Sequence, residues 1–468
     1  MPNNLIKILI FTAIFISNIV AQNGFNSYLE KDSVYRFNTS LKVMDSLLFF
    51  LTQFSNNDSA FNSSFIKSGS LSLSQLMYGA INNNTELDLM QKKIDVLKFQ
   101  ADEKSFLPDP MFEFELDDIM SDFKKVGMVN FYLSQLFPFP GKLNLEKKIT
   151  EKNRTIMQTD LLYKASEIMK MVKMNYYDLY LIERKIELNR DNQQLMSTFL
   201  TAAEAQYIVG KGMQQELFKA QIELGNLKNE DFILAQQKKN ILNDLSKLTK
   251  YNFNENVKFN FSEIDIGFIL SNESFSFNSS SLEKLINFGL ENRADVKSIK
   301  QKLIMNKSEI ELAKLNRVPD LFLKFGYKIM PYEEKNGFAV MAGINIPFAP
   351  WSSGRYSSSL HKNQAVLNST LAEYENLKNE IRNEITNIVN NMNSLKETMN
   401  YYYKILIPQT ENTLKATQYN YESNMTNFLD LLDSYILYQN TKSMFYETLN
   451  MYLKSIAELE FATGINLK

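Results

Sequence analysis

Residues 111–116 read MFEFEL. Phe112, Phe114 and Leu116 fall on one side of an extended chain and Glu113 and Glu115 on the other, the period-two pattern of a strand with one apolar face. Three more segments alternate in the same way. VNFYLSQLF (129–137) sets Val129, Phe131, Leu133 and Gln135 against Asn130, Tyr132, Ser134 and Leu136. LFLKFGY (321–327) sets Leu321, Leu323, Phe325 and Tyr327 against Phe322, Lys324 and Gly326. FAVMAGINI (338–346) sets Phe338, Val340, Ala342, Ile344 and Ile346 against Ala339, Met341, Gly343 and Asn345. The four segments pair into two hairpins. Pro108 and Pro319 end the helical patterns that lead into them, and Pro138, Pro140, Pro347 and Pro350 turn the chain back toward helix.

Outside the hairpins the sequence is helical over unusual lengths. Residues 72–105 open on SLSQ, a capping box with Ser72 as N-cap and Gln75 three residues on. Residues 142–208 hold neither Pro nor Gly, and as one helix these 67 residues would measure roughly 100 Å. A second helical run covers 213–250. Ordinary helices average about 12 residues, so helices this long belong to a coiled coil or a bundle. Pro408, inside a later helical pattern, is expected to kink or interrupt it.

The pattern recurs. AINNNTEL (80–87) is echoed by GLENRADV (289–296), FLPDPMFEF (106–114) by RVPDLFLKF (317–325), FPFPGK (137–142) by IPFAPW (346–351), and AQYIVGKGMQQELFKA (205–220) by YNYESNMTNFLDLLDS (419–434). The offsets are 209, 211, 209 and 214 residues, which points to an internal two-fold repeat. The expected organisation is an export signal over 1–21, cleaved after Ala21, and an irregular leader over 22–70. Repeat 1 follows over 71–250 with its hairpin at 111–137, then a linker over 251–278, then repeat 2 over 279–465 with its hairpin at 321–348.

Composition narrows the function classes. The chain has 468 residues and a net charge of −2, so nothing basic points to nucleic acid. It has no Cys and a single His, His361, which removes disulfides, thiol catalysis, Cys-ligated zinc and the lipidated cysteine of many envelope proteins. An enzyme is not expected, nor a cofactor. The 21 Met residues include Met169, Met171 and Met174, which read as adaptable packing ahead of thioether ligands. Tyr132 and Tyr327 fit an interfacial aromatic belt or ordinary packing. The acids Asp117, Asp118 and Asp122 are expected in a solvated loop between the first two strands.

Four alternating strands behind an export signal suit a membrane barrel, with lipid outside and water inside. A soluble four-stranded sheet with its polar side in water is the other home. Four strands cannot close a barrel, for which about eight is the practical minimum. The chain would then supply part of a barrel built by several copies, and physics alone allows two, three or four of them.

The whole layout resembles the TolC-like outer-membrane efflux channel family. The resemblance rests on the signal, the two repeats, a hairpin in each, and paired long helices after each hairpin. FLPDP and QLFPFPGKLNLEKK resemble the segments flanking the family's first hairpin, most of all in its heavy-metal efflux branch. Tyr421, Asn424 and the run Phe428-Leu429-Asp430-Leu431-Leu432-Asp433-Ser434, ending near ELEFATG (458–464), resemble the signature of its last helical hairpin. The resemblance implies a mainly α chain with a membrane β-barrel portion: a homotrimer, four strands per protomer completing a twelve-stranded barrel in outer-membrane lipid, over a long α-helical coiled-coil barrel in the periplasm. It implies a passive exit duct of a tripartite efflux system, carrying small molecules or metal ions. Its partners would be a periplasmic adaptor protein and an inner-membrane pump of the resistance-nodulation-division or ABC type. The alternatives are the exit channel of a type I secretion system and a periplasmic coiled-coil adaptor without a barrel.

The resemblance also assigns roles. Asp430 and Asp433 would face the pore at its narrowest point, six carboxylates from three protomers. A helix N-terminus favours one acid by about 0.3–1 kcal/mol, which accounts for Asp430 but not for Asp433 on the same face. The matching positions in repeat 1 are Glu216 and Lys219, so the acidic pair is not repeated. Val209, Gly210 and Lys211, with Ser423, Asn424 and Met425, would form the two tips that meet the adaptor. Gly210 and Asn424 suit the left-handed conformation that ends helices. Glu113, Glu115 and Lys324 would line the barrel lumen.

Overall fold

Ser72 starts the first helix, α1 (Leu73–Asn83), through the expected capping box. Its hydroxyl accepts from the Gln75 amide at 3.4 Å, and Gln75 Oε1 accepts from the Ser72 amide at 2.8 Å. The run expected over 72–105 is not one helix. Asn84 leaves the helical region, and its carboxamide oxygen accepts from the amides of Glu86 and Leu87 at 2.8 and 3.4 Å, starting α2 (Thr85–Glu103) afresh. Capping two otherwise orphaned amides outweighs the lost continuity.

The computed structural model describes residues 70–119, 126–253, 257–271, 279–330, 335–423 and 425–464. The chain falls into two units, Met1–Leu71 and Ser72–Lys468. The expected export signal and nearly all of the leader lie outside the described residues, as do Asp122 and Asn424. After α2 come strands β1 (Met111–Ile119) and β2 (Val126–Phe137), then helices α3 (Lys142–Ile208) and α4 (Gln214–Thr249). Short helices α5 (Ile266–Ser271) and α6 (Ser279–Asn292) lead to α7 (Ala294–Leu315), β3 (Leu321–Met330) and β4 (Lys335–Ile344). The chain ends with α8 (Ser353–Tyr401), α9 (Ile407–Glu422) and α10 (Phe428–Thr463).

Helix α3 runs uninterrupted for 67 residues, as its freedom from Pro and Gly predicts. Its buried positions step by three and four, as in Ala165, Ile168 and Val172 and again in Asn192, Met196, Phe199 and Ala203. That mean spacing near 3.5 is the seam of a coiled coil, and α3 packs on α2, α4, α7 and α10. Pro408 acts one turn ahead of itself. It has no amide for the carbonyl four residues back, and the helix widens into a π turn at Tyr402–Leu406 just before it. No described helix is long and apolar enough to cross a membrane.

The strands form one antiparallel sheet in the order β1-β2-β3-β4. They are longer than alternation alone marks, except that β4 stops at Ile344 rather than Ile346. Backbone pairing carries through charged positions, with Asp117 opposite Met128 and Ile119 opposite Val126, so Asp117 and Asp118 belong to β1 and not to a loop. The register places Phe114 opposite Phe131, Phe131 opposite Tyr327, and Tyr327 opposite Phe338. One aromatic row therefore crosses all four strands, with ring centroids 5.3 Å apart at both Phe114–Phe131 and Tyr327–Phe338.

Burial on this sheet is inverted relative to a water-soluble one. The apolar side is exposed, with Phe112, Phe325 and Val340 open and Phe338 at 87% exposure. The polar side is closed at its centre, where Asn130 and Ser134 are each 2% exposed, while Glu115 and Met341 stay open toward its edges. Among the described residues β1 pairs only with β2 and β4 only with β3, so the sheet has two unpaired edges.

Candidate functional site: the helical tip, the neck and the polar face of the sheet

The end of α3 is a complete Schellman motif. Lys211 N donates to Gln206 O and Gly210 N to Tyr207 O, both at 2.9 Å, with Gly210 at φ +72°. This is the left-handed glycine that the sequence predicts. At the end of α9 the matching six-to-one bond runs from Met425 N to Asn420 O at 2.8 Å. One apolar cluster joins the four helix ends at these turns, including Met196, Phe199, Ala220, Tyr421, Phe428 and Tyr435. The two tips therefore lie together at one end of the helices. Val209, Gly210, Lys211, Ser423 and Met425 are all exposed there. Burial pushes the Tyr421 phenol up, with the charge of Glu216 adding to the shift.

Asp430 and Asp433 sit at the start of α10. Asn427 is the N-cap, and its side chain accepts from the Asp430 amide at 3.0 Å. The Asp430 carboxylate accepts from the Thr426 hydroxyl. The helix starts at Phe428 because Asn427 supplies the cap. Phe428, Leu431 and Tyr435 are buried while Asp430 and Asp433 are both exposed, so the carboxylates share the face turned from the seam. At the start of α4, Glu216 Oε2 accepts from the Met213 amide at 3.4 Å, and the position matching Asp433 is Lys219. Glu216 and Asp430 hold the same position after their cap residues, but the Glu216 carboxylate takes the cap residue's amide and the Asp430 carboxylate the Thr426 hydroxyl, and the exposed second acid belongs to α10 alone.

On the covered side of the sheet, the Lys324 ammonium pairs with Glu113 and lies 4.1 Å from the centre of the Tyr132 ring. Gly326 makes room for that ring: a Cβ there would stand 2.6 Å from Tyr132 Cδ1 and Cε1. Asn130 Nδ2 donates to Glu115 Oε2 at 3.4 Å. Glu113, Glu115 and Lys324 therefore lie together on one face. Tyr132 is buried beside them, so it packs on the polar face and is not part of an aromatic belt.

The sequence reading missed the neck below the strands. Asp320 Oδ1 accepts from Lys142 Nζ and from the Phe139 amide, each at 2.7 Å, and Asn345 Oδ1 accepts from the Asp320 amide at 2.6 Å. Lys142 Nζ also donates to Val318 O at 2.9 Å. One carboxylate thus ties the exits of β2 and β4 to the entry of β3. The available signal was the pairing of VPD with FPFPGK, residues that alternation does not mark. Burial opposes the Asp320 charge, but the hydrogen bonds from Lys142 and Phe139, and the Lys142 charge, outweigh it and hold the carboxyl below its usual range. A depressed pKa contributes stability that is present above the unfolded value near 3.8 and is lost as pH falls through the folded value. Asp320→Ala leaves the Lys142 ammonium buried without its carboxylate, and the expected cost at pH 7 is about 3–5 kcal/mol. Thermal melts of the two proteins should differ widely at pH 7, and the gap should narrow as pH falls below about 3.8; a gap that does not narrow down to the acid limit of folding would show that the charge is not the cause.

No protein-family model matches the sequence, and no curated protein matches it by sequence. Solved structures do match. The chain is similar to the outer-membrane channel OprN, with a TM-score of 0.69 at 12% identity over 84% of this chain and 90% of that one. It is similar to CusC, described for transmembrane channel formation, with a TM-score of 0.69 at 14% identity over 84% and 92% of the two chains. It is also similar to the outer membrane protein VceC of Vibrio cholerae, with a TM-score of 0.69 at 14% identity over 85% and 97%. The fold is TolC-like, that of the outer-membrane channels. At such low identity a TolC-like chain is held by pattern: the three-and-four spacing of α3 and the alternation of the strands both survive wide exchange of side chains. The acids at the start of α10 and both helical turns lie at one end of the helices, and each strand hairpin stands between a preceding and a following helix.

Proposed function

We propose that this chain is one protomer of a homotrimeric exit duct in the outer membrane, extending into the periplasm as part of a tripartite efflux system. The inverted sheet carries the reading. An exposed apolar face backed by a polar, ion-paired one is costly in water and favourable where lipid meets one side and an aqueous lumen the other. Two unpaired edges call for further copies, since open edges are not tolerated within lipid. Three copies make twelve strands, with Glu113, Glu115 and Lys324 toward the lumen. Below the barrel the long helices of three protomers form the tube, and Asp430 and Asp433 ring its far end. The tips, with Gly210 at one of them, meet a periplasmic adaptor, which links the duct to an inner-membrane pump. That pump supplies the energy, and the duct passes small molecules or metal ions without chemistry of its own. The FLPDP (106–110) and FPFPGK (137–142) strings support the heavy-metal branch as the first cargo class to try.

The test is purification from membranes followed by mass determination and bilayer recording. The chain should require detergent for extraction, run as three copies, and give discrete conductance steps. Release by salt alone as a monomer without conductance would sink the reading and favour a periplasmic adaptor.

A further inference from the structure

The sheet contains its own template for the contact it lacks. Inside the chain, β2 meets β3 with Phe131 opposite Tyr327, Leu133 opposite Phe325, Ser134 opposite Lys324 and Gln135 opposite Leu323. Below that junction Asp320 accepts the Phe139 amide at 2.7 Å. The outer edges carry the same signals. Pro108-Asp109 precedes β1 as Pro319-Asp320 precedes β3, at an offset of 211 residues. Pro347-Phe348 follows β4 as Pro138-Phe139 follows β2, at an offset of 209. Asp109 and Phe348 are both exposed, and no acceptor for the Phe348 amide is found among the described residues.

We propose that β4 of one copy pairs antiparallel with β1 of the next in the register that these offsets transfer. Val340 then lies opposite Leu116, Ala342 opposite Phe114, Gly343 opposite Glu113 and Ile344 opposite Phe112. Asp109 of the next copy accepts the Phe348 amide, as Asp320 accepts that of Phe139. The inference rests on the proposed assembly of copies and adds its register and its capping contact.

Three observations agree with it. The parity is right: the matched pairs keep the exposed apolar residues on one face, whereas a slip by one residue would turn Glu113 and Glu115 to that face. The edges are of matching length, nine residues in β1 and ten in β4. Gly343 faces open space, with only Phe322 as near as 3.9 Å to a Cβ placed there, so it leaves room beside Glu113. A slip by two residues would also preserve parity, but it would separate Asp109 from Phe348. The carboxylate therefore selects the register.

The absence of cysteine makes the test clean. Full-length chains carrying A342C with F114C, or I344C with F112C, are oxidised in membranes and run without reductant. Directly opposed Cβ atoms stand about 4.5–5.5 Å apart and those two residues off about 7–8 Å. The matched pairs should therefore link copies at least about tenfold faster than A342C with F112C or A342C with L116C. Oligomers whose shifted pairs react fastest, or whose pairs do not react at all, would overturn the register and leave the assembly standing. Monomers in detergent before oxidation would overturn both.

Discussion

Asp430→Ala/Asp433→Ala should raise single-channel conductance by about twofold or more and weaken block by divalent cations by about tenfold, equivalent to ~1.4 kcal/mol of lost binding. The expectation starts from helix geometry. Both carboxylates project from the first turns of α10 on the face opposite Phe428, Leu431 and Tyr435, and both are exposed. In the proposed three-fold assembly, with that face turned to the passage, six carboxylates would surround it, and such a ring holds cations and repels anions. Local structure should survive the change. The cap at Asn427 bonds the Asp430 backbone amide, not its carboxylate, so helix initiation is retained. The loss is confined to the Thr426 contact and a dipole effect of about 0.3–1 kcal/mol. The double variant Asp430→Asn/Asp433→Asn separates charge from size: cation block should fall as far, while conductance moves less. Planar-bilayer recordings at graded calcium measure both quantities, and unchanged block in the two variants would end the gate assignment.

How much was readable in advance differs by element, and the difference has physical causes. Helix α3 was readable to the residue because 67 positions without Pro or Gly leave the helix no place to stop, and Gly210 marks where it does. The strand faces were readable because period two admits one answer once a face is apolar. The break at Asn84 was not, since NNN inside an amphipathic run is equally compatible with a solvated helical face until the side-chain cap is seen. The full length of β1 was hidden because Asp117 and Asp118 look like loop, yet a ladder is held by backbone pairing and tolerates charge near its end. Of the candidate site, Glu113 and Lys324 were placed on one face by counting, but their direct pairing across two strands, with Tyr132 wedged above Gly326, depends on the inter-strand register. The neck at Asp320 was hidden for the same reason: its partners Lys142 and Phe139 are nearly two hundred positions away in sequence, by separations of 178 and 181 residues.

Gly210→Glu should abolish efflux while leaving the oligomer intact, and the structure explains why these two outcomes separate. Gly210 sits at φ +72°, and a Cβ built there meets nothing within 4 Å. A larger side chain therefore clashes with no part of its own protomer, and the cost is the backbone penalty of about 1–2 kcal/mol for an L-residue in the left-handed region. That is small beside the burial along α3, α4, α9 and α10, so folding and assembly persist. What changes is the surface. The tip offers Val209, the bare Gly210 backbone and Met425, and a carboxylate among them replaces a flat, adaptable contact with a protruding charge. If an adaptor docks there, susceptibility of cells to the exported compound should reach that of cells lacking the gene, with normal amounts of detergent-extracted oligomer. Gly210→Asn supplies the control, because Asn tolerates the left-handed conformation at little cost and adds no charge; it should retain most of the efflux. Gly210→Ala shares the backbone strain of the Glu variant without its charge, so efflux lost equally in Ala and Glu would assign the defect to turn geometry. Normal efflux by the Glu variant would remove the tip from the docking surface and move the search for the adaptor contact up the flanks of α4 and α10.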